Sequence, residues 1–159
     1  MNNPRYLNTI YCDDVRLEVG GKTTYVGVYG SVMNIVVSEE AYKQNNGVTI
    51  PKLCLISTLS TPADQPAKKI DFSIKLDGKP VQGFSAELQT PPESSNAQYQ
   101  TCTTVNNVSL TLRQPSLLSL TASIDGGEAI EGPTLLLNLQ VKKSETAPEA
   151  NTPAPETQQ

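Results

Sequence analysis

The sequence predicts an all-β fold, an antiparallel β-sandwich of immunoglobulin-like or similar type, followed by a disordered tail. Three observations carry that reading. Apolar and polar residues alternate with a period of two along most of the chain, and helical periodicity is nearly absent. Short apolar runs are separated by Gly and Pro turns, the spacing of a sandwich. The apolar stock is aliphatic: hydrophobic residues make up 37% of the 159, aromatic residues only 5%, and there is no Trp.

The first element is "YCDDVRLEVGGKTTYVGVYG", Tyr11 to Gly30. Gly20-Gly21 reads as a two-residue hairpin loop, because both positions accept positive φ without a Cβ clash. That loop pairs Val19 with Lys22, Leu17 with Thr24, Val15 with Val26 and Asp13 with Val28. Val15, Leu17, Val19, Val26 and Val28 then form the expected core face. Asp14, Arg16 and Glu18 form the expected solvent face, opposite Thr23, Tyr25 and Gly27.

Further along, Val36 and Val37 end a strand, Ser38 with Glu39 and Glu40 opens a short helical turn, and Asn45-Asn46-Gly47 is a loop. "IPKLCLISTLST" is a strand with Leu53, Leu55 and Ser57 on one face and Cys54, Ile56 and Thr58 on the other. Thr61 to Lys69 is a Pro-broken loop. A second hairpin turns at Asp77-Gly78, a strong two-residue signal. Leu76 should face Lys79, and Ile70, Phe72, Ile74, Leu76 and Val81 should share a core face. Pro80 cannot donate to a ladder, which places that strand near a sheet edge.

The run from Gln89 to Gln100 reads as loop, with Pro91-Pro92 as a stop. Strands return at Val108 to Leu112, Leu117 to Ile124 and Thr134 to Val141. Leu118, Leu120, Ala122 and Ile124 alternate with hydroxyl residues in the second. Leu135, Leu137, Leu139 and Val141 form the buried row of the third. Residues 1–143 are expected to be one domain. Residues 144–159 hold three Glu, three Pro and no basic residue or large aliphatic, so burial cannot offset their ordering entropy.

Net charge is −4, three of it in that tail. No basic patch stands out, so nucleic acid is not an expected partner. No apolar run approaches the roughly 18 residues of a membrane span, and a membrane is not expected either. The N-terminal stretch lacks the charged and apolar regions of an export signal. The three cysteines, Cys12, Cys54 and Cys102, are widely spaced and odd in number. Together these features predict a cytoplasmic protein with reduced thiols that act as small buried hydrophobes.

The chemistry available is narrow. The chain has no histidine, which removes histidine-based triads, histidine-ligated zinc and the commonest general base near neutral pH. No Gly-rich phosphate loop occurs. Carboxylates remain. Asp13 and Asp14 are neighbours on a strand and point to opposite faces, so they cannot share one site without a bulge; Asp14 shares its face with Arg16 and can pair with it. In "DGGEAIEG", Asp125, Glu128 and Glu131 sit at a loop end where sandwiches sometimes hold calcium. The spacing departs from an EF-hand loop, and a tight turn with solvated charges explains it better. The expectation is therefore no enzyme, no catalytic residue, no cofactor and no metal.

The opening unit resembles the N-terminal signature of a family of small uncharacterised bacterial and phage-associated proteins. The residues that carry the likeness are Cys12, Asp13, Asp14, Val15, Arg16, Glu18, Gly21, Lys22, Gly27, Val28, Tyr29 and Gly30. The likeness covers the hairpin alone; the rest matches only as a β-rich body. It implies a fold and a phage or prophage setting, and it carries over no activity. Taken together, the expected role is a non-enzymatic protein-binding or structural module. It would be a virion-associated accessory part or an inhibitor of a host protein, located in the host cytoplasm or the virion. Its partner would be another protein. The candidate interface is the polar hairpin face with Asp14, Arg16, Glu18 and Tyr25. Binding of a small ligand or cation at Asp125, Glu128 and Glu131 is the alternative, and a carboxylate enzyme stands behind both.

Overall fold

The run from Val48 to Pro62 forms a single strand of 15 residues whose two faces separate two apolar environments. It organises the computed structural model, which describes residues 5–89 and 98–143. In chain order the elements are β1 (Tyr6–Cys12), β2 (Asp14–Leu17), β3 (Thr23–Val26), β4 (Val32–Ser38), α1 (Glu39–Asn45) and β5 (Val48–Pro62). There follow β6 (Lys69–Leu76), β7 (Lys79–Glu87), β8 (Tyr99–Leu112), β9 (Ser116–Ile124), β10 (Ala129–Glu131) and β11 (Leu135–Lys142). The loop read at Pro91-Pro92 and the tail from Ser144 lie outside the described residues.

Two sheets face each other. One has the order β1-β5-β8; the other has the order β4-β11-β9-β6-β7, with β10 added beside β9. Leu53, Leu55, Leu59 and Leu110 of the first meet Ile70, Phe72, Ile74, Leu118, Leu120 and Leu137 of the second in one buried cluster. The alternation written into each strand produces this cluster. Each such aliphatic side chain contributes about 1.5–3 kcal/mol when fully buried. The fold is thus an all-β sandwich.

Most local expectations hold. Ser38 caps α1, its Oγ accepting from the Ala41 amide at 3.2 Å. Asn46 takes the left-handed conformation that ends the helix, so the single turn extends to seven residues. Leu76 faces Lys79 across the Asp77-Gly78 turn, and β7 is an edge strand, as Pro80 requires. The buried rows of β9 and β11 are those predicted through Leu139, while Val141 is exposed.

Several features differ from the expectations. A bulge after Ile74 pairs it with Gln82 rather than Val81, so Val81 turns outward. β8 begins at Tyr99, nine residues before the predicted strand. Its first half is rich in Thr and Asn because one of its faces is open, which hides the strand from a hydrophobic scan. β10 forms where the sequence reads only a turn. Among the described residues all pairings are antiparallel except β4 with β11, so the sandwich is mixed where the sequence reads a purely antiparallel one. That parallel contact joins elements about a hundred residues apart and leaves no trace in local turn chemistry.

Candidate functional site

The β2–β3 hairpin belongs to neither main sheet. It springs from the end of β1 at Asp13, and its far strand returns to a single bridge between Tyr11 and Tyr29. Its register differs by one residue from the expected one. Asp14 faces Val26, Val15 faces Tyr25, Arg16 faces Thr24 and Leu17 faces Thr23. The Glu18 amide donates to the Lys22 carbonyl at 2.8 Å, so the loop is Val19-Gly20-Gly21. Both glycines have positive φ, 86° and 75°, as the sequence requires. Glycine at both positions permits the longer loop as well as the shorter one. The bridge at Tyr11 and Tyr29 fixes which is used, since it continues the same register.

The consequence is a correction. Leu17, Val19 and Val28, expected in the core, are 85%, 100% and 57% exposed. A one-residue slip carries side chains to the other face, and the hairpin never packs on the main core. Val15 is its anchor: with Ile10 it packs on a small buried cluster of Cys12, Cys54 and Ile56. That cluster lies on the face of β5 opposite the main core, the face assigned to Cys54 and Ile56 from the sequence.

Of the four candidate interface residues, three stay together. Asp14, Arg16 and Glu18 alternate on one face. Tyr25 faces Val15 and therefore belongs to the other, with Leu17 and Thr23. Asp14 binds Lys52 Nζ at 2.6 Å and Arg16 Nε at 3.5 Å. The Lys52 hydrogen bond holds the Asp14 carboxyl below its ordinary range and raises the Lys52 ammonium. Glu18 accepts from the Thr24 hydroxyl. On the neighbouring turn the Tyr29 hydroxyl donates to Asp13 at 2.5 Å. That bond, with burial, pushes the Tyr29 phenol up to about 12.

Three further aspartates hold parts of the fold together. Asp125 accepts the backbone amides of Lys68 and Lys69, and Asp77 accepts that of Leu117. Both residues have positive φ at turns, where a short side chain that bonds local backbone is favoured. Asp71 pairs with Lys69 and Ser85. Among the described residues no three His, Cys, Asp or Glu side chains come together as metal ligands. A cleft beside α1 is lined by Val37, Ala41, Asn45, Gly47, Val48 and Thr49, none of them an acid or a base. A second group of exposed aliphatics, Val32, Val36 and Leu117, lies flat on the outer face of β4, β11 and β9. Among the described residues no helix is long and apolar enough to cross a membrane.

No protein-family model matches the chain, and a search of curated proteins returns no match.

Proposed function

We propose that this chain is a non-enzymatic protein-binding or structural sandwich module whose β2–β3 hairpin is the contact arm. The observation that supports it is the exposure of Leu17 and Val19 on an element anchored by Val15. Exposing large aliphatics costs solvation and gains nothing for the fold, so such surface on an arm marks a place of contact. The opposite face of the same arm carries Asp14, Arg16 and Glu18, so the arm offers an apolar side and a charged side. The absence of histidine from the sequence and the structural employment of Asp77 and Asp125 fit a role in binding rather than catalysis.

The partner in this reading is another protein. The likeness of the hairpin to phage-associated proteins favours a virion component or a host target, and a cytoplasmic or virion location follows from that setting. The experiment is affinity capture from a host lysate with wild-type protein and the Leu17→Asp variant. A partner retained by the first and lost by the second supports the reading. Equal capture by both removes the hairpin as the interface.

A further inference from the structure

Cys12 and Cys54 are direct cross-strand partners on β1 and β5. They are 0% and 2% exposed, and both are free thiols. Opposed residues in an antiparallel pair have Cα atoms about 4.5–5.5 Å apart, inside the roughly 4.4–6.8 Å that a disulfide spans. Cys102 packs separately, in the main core. Two of the three thiols are therefore placed to join without moving a strand.

The same thiols fasten the base of the hairpin. Cys12 Sγ lies 3.4 Å from the Asp14 carbonyl, to which it donates. Cys54 Sγ lies 2.8 Å from Asn107 Oδ1 and 3.5 Å from the Asp13 carbonyl, and its one proton serves these in turn. Asp13 and Asp14 are the residues where β1 gives way to the arm.

We propose that Cys12 and Cys54 form a redox-responsive pair that couples thiol oxidation to the freedom of the β2–β3 hairpin. The oxidant is a low-molecular-weight disulfide. One protein thiolate attacks it to give a mixed disulfide and one small thiol. The second protein sulfur then displaces the other small thiol. Two S–H bonds of the protein and one S–S bond of the reagent break. One Cys12–Cys54 bond forms, and two electrons and two protons leave with the two small thiols. Both donors at the base of the arm are lost in the product.

Access sets the rate. With the arm closed the thiols are buried, and burial, reinforced by Cys54, pushes the Cys12 thiol up and keeps it protonated. Reaction proceeds from a locally opened form in which Val15 has left the cluster. The thiol pair responds in this way whether or not the hairpin binds a partner.

The test treats full-length protein with oxidised glutathione, then alkylates it in denaturant and maps the peptides under non-reducing conditions. The expected product has lost the mass of two hydrogens, links the Cys12 peptide to the Cys54 peptide and leaves Cys102 fully alkylated. Val15→Ala should form it several-fold faster, and hairpin amides should exchange several-fold faster in the oxidised protein. Cys12 and Cys54 remaining fully alkylated overturns the proposal, as does capture as glutathione adducts without a link. A link that leaves hairpin exchange unchanged overturns the coupling.

Discussion

Val15 stands directly opposite Tyr25 across the β2–β3 pair, and of the two only Val15 packs on the Cys12–Cys54–Ile56 cluster. Tyr25, one strand over on the same face, is exposed. The apolar face of the arm is therefore buried at its base and open toward its tip, where Leu17 and Val19 lie. An element built this way is held to the body by few contacts.

The first expected outcome concerns stability. Leu17→Ala should change unfolding free energy by no more than about 0.5 kcal/mol, as for other surface positions. Leu120→Ala, in the middle of the main core, should cost about 2–5 kcal/mol. Urea denaturation of the two variants decides the matter. A large loss at Leu17 would mean that the arm folds back on the body.

Much of this was legible beforehand, and the parts that were not share a cause. Local chemistry set α1, its caps, the Asp77-Gly78 hairpin and the alternating rows of β5, β9 and β11. The alternation around Gly20-Gly21 was equally clear but ambiguous in register, because two adjacent glycines admit two loop lengths. Choosing the core face from hydrophobicity fails where an apolar row stays exposed, as with Leu17 and Val19. The adjacency of Cys12 and Cys54, the pairing of β4 with β11 and the early half of β8 depend on distant partners. No period-two pattern encodes those. Among the candidate interface residues, Asp14, Arg16 and Glu18 shared a face in either register, while Tyr25 changed sides with the slip.

Acid should weaken the fold in a defined window. The bonds from Lys52 to Asp14, and from Ser85 and Lys69 to Asp71, hold both carboxyls below their ordinary value of 3.8. A carboxyl whose folded pKa is depressed contributes stability above its unfolded value and loses it as pH falls through the folded one. Melting temperature should therefore drop below about pH 4. Asp14→Asn should differ from wild type at neutral pH and converge on it in acid. A gap that persists unchanged at the lowest pH would rule out ionisation of Asp14 as its source.

Alkali acts with the opposite sign. Burial raises the Tyr11 phenol to about 12, and its hydroxyl donates to the Pro133 carbonyl at 2.7 Å. A phenol raised above its ordinary 10.0 stabilises the fold at lower pH and ceases to do so as pH climbs through about 12. Tyr11→Phe should flatten the alkaline limb of the stability profile, and an unaltered limb would contradict the assignment.

Gly27 is the joint where β3 leaves the arm. Its φ is +64°, and an added Cβ would fall 1.9 Å from Asp13 Oδ2. Gly27→Ala should cost about 1–2 kcal/mol from the left-handed backbone alone. It should also displace Asp13 from Tyr29, so the Tyr29 phenol should titrate lower than its present value of about 12. Spectroscopic titration of the phenols checks this; an unchanged Tyr29 would show that the Asp13 bond does not depend on the glycine.

The most direct measurement compares Leu17→Asp with Val36→Asp, one charge placed on the arm and one on the flat outer face of β4. Each protein is checked for an unchanged melting temperature, then used for affinity capture and light scattering beside the wild type. Wild type is expected to hold a protein partner, Leu17→Asp to lose it and Val36→Asp to keep it. Loss of the partner by Val36→Asp with retention by Leu17→Asp would remove the hairpin as the contact arm, as would a wild-type protein that remains monomeric and captures nothing.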